Sequence, residues 1–194
     1  AAELNHRKYL DRIDLYKRYG YDTIADRKFI LEASMPLCGR ILEVGTGKGH
    51  MALILARAGY DFVSVDISEE EQNIAKTNLE YYGVANKVDF KIANAENLNY
   101  PDYSFDAIIS VDTVHHMNNP FKVMEELIRV LGSNGKIILS DFTDEGFELL
   151  EKVHNSEGRS HNAFVSKVGL PDIEDYFRRR SFSIEKKHMI SLKI

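Results

Sequence analysis

Three glycines at alternate positions form the part of the sequence best suited to hold a ligand. Residues 41–44 have the apolar composition of a short strand that is buried on both faces. Gly45, Gly47 and Gly49 come next, and glycine is used where the backbone takes unusual dihedrals or lets a ligand approach closely. A helix that begins near Gly49 points its N–H groups at this turn, where a polar or anionic group can bind. The pattern therefore predicts a site made largely of backbone, for a ligand that contains a nucleoside.

The spacing of the glycines distinguishes this motif from two common nucleotide-binding loops. The dinucleotide-binding sequence G-x-G-x-x-G requires a third glycine at position 50, which is His50. No segment supplies the G-x-x-x-x-G-K-[ST] sequence of a phosphate-binding loop. The chain instead has E-x-G-x-G-x-G, which begins at Glu43 near the end of the first strand. Both His50 and Glu43 therefore disfavour an NAD-dependent oxidoreductase.

A second carboxylate, that of Asp66, follows the next predicted strand. Adjacent strand tips lie close together in a doubly wound sheet, so Asp66 can accept hydrogen bonds from both hydroxyls of a ribose held over the glycine turn. The alternative is that Asp66 only caps the following helix. Ser68 and Glu71, three residues apart, already form a capping box there. We therefore expect Asp66 to be available to a ligand.

The order of these motifs resembles that of the class I S-adenosylmethionine-dependent methyltransferases. Beyond the glycine motif, the chain has A-E-x-L at 95–98, S-F-D at 104–106 and L-x-x-x-G-K at 131–136. The landmarks lie in the family's order within residues 40–142, about half the chain. The resemblance implies that the cofactor is S-adenosyl-L-methionine and that its methyl group is transferred to a small molecule.

The resemblance also implies which residues contact the cofactor. Glu43 supports the glycine loop or helps to bind the amino end through water, Asp66 holds the ribose, and Asn94 with Ala95 faces the adenine. The family usually has Asp at the position of Asn94, whose side-chain carbonyl can still accept a hydrogen bond from the adenine amino group. The full set of predicted cofactor-binding residues is Glu43, Gly45, Thr46, Gly47, Gly49, Asp66, Ile67, Asn94, Ala95, Glu96 and Asp112.

Two adjacent histidines, His115 and His116, follow the fourth predicted strand. The amino-base methyltransferases carry [DN]-P-P-[FY] here, and its absence disfavours nucleic-acid bases as acceptors. The pair is similar to the small-molecule branch of the family, which includes quinone- and sterol-biosynthesis enzymes. Histidine can act as a general base near neutral pH, but methyl transfer needs a base only when the acceptor must lose a proton. We predict both as catalytic candidates, the alternative being that one packs under the cofactor and the other is solvated.

Several aromatic and histidine residues are candidates for the substrate side of the site. Tyr16, Tyr19 and Tyr21 lie in a predicted N-terminal extension that often covers the cofactor in this family, and the alternative for each is packing against the sheet. His154 and His161, with Glu157 between them, lie where the family has substrate determinants. These three residues also have metal-binding side chains, but we favour a solvated segment and predict no metal site.

Composition and charge restrict the possible functions. The chain has 194 residues and a formal net charge of -5, so a generic nucleic-acid binder is disfavoured. The basic run at 178–180 fits the solvated end of a helix. Cys38 is the only cysteine, which excludes an intrachain disulfide or a thiolate metal cluster. We expect a cytoplasmic monomer or homodimer without a membrane span, acting on a small molecule.

The alternation of strands and helices predicts an α/β Rossmann-like sandwich of three layers with a mostly parallel sheet. The resemblance implies seven strands in the order 3-2-1-4-5-7-6. The first five are predicted at 41–44, 62–67, 88–93, 107–111 and 137–142. A turn is expected at 131–136, and the last two strands are expected within 182–194.

A single domain is predicted over residues 1–194. It comprises an N-terminal helical cap at 1–36, a cofactor-binding core at 37–142 and a C-terminal part at 143–194. The cap contains predicted helices at 3–19 and 22–34, the second of which has Ala25, Phe29, Ile30 and Ala33 on one side.

One alternative function keeps the fold and the cofactor. Because the sequence contains no obvious base, a protein that binds S-adenosylmethionine as a sensor or assembly subunit, without methyl transfer, fits the same motifs. Release of S-adenosylhomocysteine distinguishes the two functions.

Overall fold

The central element is a parallel β-sheet. The computed structural model describes residues 2–158 and 166–187. Within them, five strands form one sheet in the order β3-β2-β1-β4-β5, with every neighbouring pair parallel. The strands are β1 (Ile41–Val44), β2 (Phe62–Asp66), β3 (Val88–Ile92), β4 (Phe105–Val111) and β5 (Leu131–Ser140). The α/β class and the order of the first five strands are confirmed.

Helices cover both faces of the sheet and connect its strands, except that residues 93–104, which contain no helix, join β3 to β4. The α-helices are α1 (Ala2–Arg18), α2 (Thr23–Ala33), α3 (His50–Arg57), α4 (Glu69–Tyr81), α5 (Pro120–Val130), α6 (Asp144–Ser156) and α7 (Leu170–Arg178). Their starts follow from local sequence. Asp22 and Ser68 cap α2 and α4 by accepting hydrogen bonds from Ala25 N and Glu71 N. Pro120 is the first residue of α5, where its missing N–H costs nothing.

The three-layer arrangement is visible in β1, whose side chains alternate between the two faces of the sheet. Leu42 and Val44 belong to a core shared with α5 and α7, whereas Ile41 belongs to a core shared with α3 and α4. All four residues of β1 are buried, as expected for an interior strand of a parallel sheet.

The first helix, α1, bridges two helices that lie far apart in the sequence. Near its start, Asn5 Nδ2 donates to Asn78 Oδ1 of α4 at 2.9 Å. Near its end, Arg12 forms an ion pair of 3.0 Å with Glu157, which follows α6. The predicted N-terminal extension is therefore joined to the helix that follows β2 and to the end of the helix that follows β5.

Two predictions about the sheet need correction. The expected turn at 131–136 is part of β5: Phe105 pairs with Leu131 and Ala107 with Lys136, so residues 132–135 bulge out opposite Asp106. The strand also ends at Ser140, two residues earlier than expected. Of the segment expected to hold the last two strands, residues 182–187 contain no strand, and 188–194 lie outside the described residues.

In the part of the chain that the structure describes, none of the helices has the length and apolar character needed to cross a bilayer.

Candidate functional site

The glycine turn and the carboxylate of Asp66 are in direct contact. Gly47 N donates to Asp66 Oδ2 at 2.7 Å, and Ser68 N donates to Asp66 Oδ1 at 2.8 Å. Asp66 therefore also orders the start of α4, which the capping box was expected to do alone, and its availability to a ligand stays a prediction. A carboxylate has about four lone-pair sites, so both oxygens can still accept a hydrogen bond from a ligand.

The three glycines differ in what surrounds them. A Cβ atom at Gly45 would lie 2.3 Å from Thr113 Oγ1, and one at Gly49 would lie 2.8 Å from the Cβ of Ala75. These two glycines are therefore required by protein packing. Gly47 also has a positive φ, of 48°, but no atom of the described residues lies within 4 Å of its missing Cβ. Gly47 is the position of the turn that faces open space.

A buried polar network lies beneath the turn. Glu43 Oε2 accepts a hydrogen bond of 2.5 Å from Ser64 Oγ, which is 2.6 Å from Thr46 Oγ1. Gln72 Nε2 of α4 donates to the same Thr46 oxygen at 3.2 Å. Burial raises the pKa of Glu43 to about 8, despite the opposing hydrogen bond from Ser64. Of the two roles predicted for Glu43, this geometry favours support of the loop.

Further predicted cofactor-binding residues lie at the tips of β2 and β3. Ile67 directly follows Asp66 and is 71% exposed, an unusual position for a large apolar side chain. Asn94 Oδ1 accepts from Glu96 N at 2.9 Å. The carboxylate of Glu96 is bonded to Asn119 and paired with Lys122, so it holds the start of α5.

A buried ion pair links α2 to the tip of β4. The guanidinium of Arg27 contacts Tyr21 Oη at 2.7 Å and also bonds to the carboxylates of Asp26 and Asp112. Its Nε is buried and has no hydrogen-bond partner among the described residues. Asp112 has a positive φ of 53°, a strained conformation for a non-glycine residue. Asp112 was predicted as a site residue, whereas sequence reasoning missed Arg27.

The charges around Arg27 are strongly coupled. Burial alone would lower the pKa of Arg27, but the interactions with Asp112, Tyr21 and Asp26 together more than offset burial, and the pKa is raised. Burial raises the pKa of Asp112 to about 6, although Arg27 opposes the shift. His50 is partly buried on the wall of a cavity, and desolvation together with the charge of Arg27 lowers its pKa to about 3. His50 is therefore a neutral residue at physiological pH.

The two adjacent histidines occupy different environments. His115 is buried, and its Nδ1 lies 2.7 Å from Asp141 Oδ1, whereas His116 is exposed. The second oxygen of Asp141 accepts from the backbone N of His115 at 3.0 Å. The two imidazole rings are 4.0 Å apart. Asp141 is the second site residue that the sequence motifs did not reveal.

The three tyrosines predicted for the substrate side do not form one group. Tyr16 is buried, and its ring is 5.9 Å from that of Tyr21. Tyr21 also packs against Phe142, at 5.5 Å, and its hydroxyl contacts Arg27. Tyr19 is 40% exposed and is not a member of this cluster.

His154 and Glu157 bind a cationic side chain of the protein. Arg12 pairs with Glu157, and His154 Nε2 lies 3.3 Å from both Arg12 and the Tyr16 hydroxyl. A guanidinium in this position would repel a metal ion. His161, the third member of the predicted group, lies outside the described residues. Among the residues with described coordinates, no group of three or more His, Cys, Asp or Glu is arranged to hold a metal ion.

A cavity of about 510 Å³ adjoins the glycine turn. One wall is α1, and the opposite wall includes Lys48 of the turn, His50 at the start of α3 and Asn78 of α4. The helix α1 therefore covers a space next to the turn.

Comparisons with known proteins agree with this geometry. A family model described as a methyltransferase domain matches residues 42–139, just over half of the chain. One relative, the 27-O-demethylrifamycin SV methyltransferase of Amycolatopsis mediterranei, is 35% identical over 105 residues, which are 53% of this chain and 38% of the relative. The UbiE ubiquinone/menaquinone biosynthesis C-methyltransferase of Ectopseudomonas mendocina is 27% identical over 155 residues, or 77% of this chain and 60% of the relative.

A solved structure supports the same relationship. The crystal structure of the YcgJ protein from Bacillus subtilis superposes with a TM-score of 0.62 and 27% identity, over 81% of this chain and 66% of that one. The chain spans about 38% to 54% of the length of the first curated relatives that it matches. The matched region contains the glycine turn, Asp66 and the tip of β4. The chain belongs to the methyltransferase domain family, as its motifs predict.

Proposed function

We propose that this protein transfers a methyl group from S-adenosyl-L-methionine to a small-molecule acceptor. The observation that carries the proposal is the hydrogen bond between Gly47 N and Asp66 Oδ2, because it joins the open side of the glycine turn to a carboxylate at the next strand tip. When bound, S-adenosyl-L-methionine supplies an electrophilic methyl group on a sulfonium. Membership of the methyltransferase domain family supports the same activity.

The residues at the tips of β1, β2 and β3 fit the nucleoside half of that molecule. The missing side chain of Gly47 leaves room above the turn, and the carboxylate of Asp66 has lone pairs for the ribose hydroxyls. The exposed face of Ile67 suits one side of a purine ring. Asn94 and the backbone N–H of Ala95 are then assigned to the edge of the adenine. Glu96 is assigned a structural role, since its carboxylate is bonded to Asn119.

The buried charges at the tip of β4 fit the amino-acid half. The methionyl group carries an α-carboxylate and an α-ammonium, and Arg27 and Asp112 offer the complementary charges side by side. The unpartnered Nε of Arg27 gives the guanidinium a further donor for a carboxylate. We assign the α-carboxylate to Arg27 and the α-ammonium to Asp112. With Asp26, the group has two carboxylates for one guanidinium, which favours a ligand with net positive charge.

Calorimetric titration of the chain with S-adenosyl-L-methionine, S-adenosylhomocysteine and NAD tests the proposed binding. We expect the first two ligands to bind and NAD not to bind. Tight binding of NAD with none of either sulfur ligand would exclude the proposal. Incubation with S-adenosyl-L-methionine and a panel of quinols, amines and thiols then tests transfer, with released S-adenosylhomocysteine as the readout. Binding without release for any acceptor class would favour the sensor or assembly role.

A further inference from the structure

Asp141 makes three hydrogen bonds, one of them to the imidazole of His115. Its Oδ1 is 2.7 Å from His115 Nδ1 and accepts from the backbone N of Phe142 at 2.9 Å. Its Oδ2 accepts from the backbone N of His115 at 3.0 Å. Both side chains are only 6% exposed. Since two backbone N–H groups point at the carboxyl group, it acts as an acceptor, and the ring nitrogen that faces it carries a proton.

This contact determines the tautomer of the neutral imidazole. With the proton on Nδ1, the lone pair of the ring is on Nε2, and the ring cannot rotate without breaking the bond to Asp141. The arrangement matches the general pattern in which a carboxylate orients a histidine that accepts a proton through its other nitrogen. Burial strengthens the pair because hydrogen bonds are stronger where the local dielectric is low.

Two phenylalanine rings pack edge-on against the imidazole of His115. The rings of Phe147 and Phe142 lie 5.2 Å and 6.1 Å from its imidazole, both in edge-on geometry. Phe142 and Phe147 belong to a cluster that also contains Tyr16, Leu150 and Val153. The apolar cluster around His115 is therefore suited to the carbon skeleton of an acceptor rather than to a strongly charged one.

The pair also adjoins the residues assigned to the methionyl group. His115 lies in the turn that follows Asp112 at the tip of β4, and Asp141 follows the neighbouring strand β5. The charge of Asp141 is close enough to contribute to the raised pKa of Asp112. Transfer of a proton from the acceptor to His115 would therefore take place beside the proposed position of the cofactor.

We propose that Asp141 is a positioning residue that holds His115 as the general base, and that the acceptor is a hydroxyl compound with an apolar body, such as a phenol, quinol or alcohol. This inference rests on the proposed methyl transfer. The hydroxyl proton moves to His115 Nε2, and the oxygen forms a bond to the methyl carbon. The carbon–sulfur bond breaks with its electron pair going to sulfur, and the imidazolium later releases the proton to solvent.

The first test measures the imidazole directly and needs neither cofactor nor acceptor. Nitrogen-15 NMR of the histidine-labelled chain, with His115→Gln to assign the signals, is expected to give a protonated Nδ1 and an unprotonated Nε2 for the neutral ring. Asp141→Asn should change the tautomer ratio, whereas Asp144→Asn, an exposed carboxylate three residues further on, should not. A proton on Nε2 in the wild type, or an unchanged ratio in Asp141→Asn, would overturn the proposal.

The second test uses hydroquinone, benzyl alcohol, benzylamine and benzyl mercaptan as acceptor probes. We expect release of S-adenosylhomocysteine with a hydroxyl probe, and a kcat about 100-fold lower in Asp141→Asn, the scale of general-base catalysis. The dissociation constant for S-adenosyl-L-methionine should stay the same, as calorimetry can verify. Turnover of only the amine or the thiol, or an unchanged kcat in Asp141→Asn, would refute the inference while leaving methyl transfer intact.

Two further outcomes are informative. Thermal melts decide whether Asp141→Asn is folded, and Asp141→Glu, which keeps the carboxylate, is the substitute if it is not. In Asp141→Glu, a kcat and a His115 tautomer like those of the wild type support the positioning role. A failure of the wild type to bind S-adenosyl-L-methionine would instead reject the proposed function, whatever the NMR result.

Discussion

Gly47 donates its backbone N–H to Oδ2 of Asp66 across 2.7 Å, so the glycine turn after β1 and the carboxylate that ends β2 form a single structural unit. The other oxygen of Asp66 accepts from Ser68 N and thereby fixes the start of α4. One side chain therefore determines the position of the turn, of the next helix and, in the proposed function, of the ribose.

Asp66→Ala should weaken the binding of S-adenosyl-L-methionine by about 1–3 kcal/mol, because charged hydrogen bonds to the ribose are lost. The same substitution should also lower the free energy of unfolding, since two backbone N–H groups lose their acceptor. Asp61→Ala, just before β2, is the matched control, because Asp61 is exposed and only pairs with Lys87. Calorimetry and urea unfolding measure the two effects. Equal affinities for the Asp66→Ala and Asp61→Ala proteins would contradict the ribose assignment.

Gly47→Ala should separate ligand binding from stability. Alanine at a φ of 48° is strained by about 1 kcal/mol, and its methyl group would occupy the open space above the turn. Gly83→Ala is a close control, since Gly83 has a φ of 69° and its missing Cβ also has no atom within 4 Å in the part of the chain that the structure describes. We expect similar losses in unfolding free energy for both variants. Only Gly47→Ala should weaken cofactor binding, by roughly tenfold or more.

Should both variants bind S-adenosyl-L-methionine as tightly as the wild type, the open side of the turn would not be the ligand side. A loss of affinity in Gly83→Ala as well would point to a general effect of backbone strain.

Arg27→Lys tests the assignment of the methionyl carboxylate. Lysine keeps the charge that balances the buried Asp112 but loses the planar fork that contacts three side chains at once. We expect an affinity for S-adenosyl-L-methionine about tenfold lower in this variant. Arg18→Lys makes the same substitution at an exposed position of α1 and should bind as the wild type does. Wild-type affinity in Arg27→Lys would argue that the carboxylate binds elsewhere.

The local sequence predicted the parts of the site that depend on neighbouring residues. The glycine turn, the strand before it and the capping of α4 by Ser68 are all specified within a few positions, and the strand tips meet because a parallel sheet brings them to one edge. The sequence predicts a turn at 131–136 because its glycines and polar residues are typical of turns, whereas pairing with β4 keeps the residues that flank the bulge at 132–135 in the sheet.

Arg27 and Asp141 could not be predicted from local patterns, because their partners are distant in the sequence. Arg27 pairs with Asp112, 85 residues away, and Asp141 pairs with His115, 26 residues away. A weak sequence signal exists for Arg27, which lies with Thr23 and Ile30 on the buried face of α2. The predicted apolar face of this helix included Ile30 but not the arginine, since charged residues are rarely buried without a partner.

Glu43→Gln should change how stability depends on pH. The pKa of Glu43 is about 8 in the folded protein, against its ordinary value of 4.5, which we take for the unfolded chain. Between these pH values the folded state keeps a proton that the unfolded state has released, so this group lowers the free energy of unfolding as pH rises from about 4.5 to about 8. Glutamine is neutral throughout and removes that contribution. Urea unfolding at several pH values should therefore show that the free energy of unfolding of Glu43→Gln rises relative to that of the wild type, on the order of a few kcal/mol by pH 8.

Glu80→Gln, on the exposed side of α4, controls for the loss of a carboxylate. A constant difference between Glu43→Gln and the wild type across this range would mean that Glu43 is ionised in the folded protein, and its hydrogen bond with Ser64 would then join a charged group to the turn.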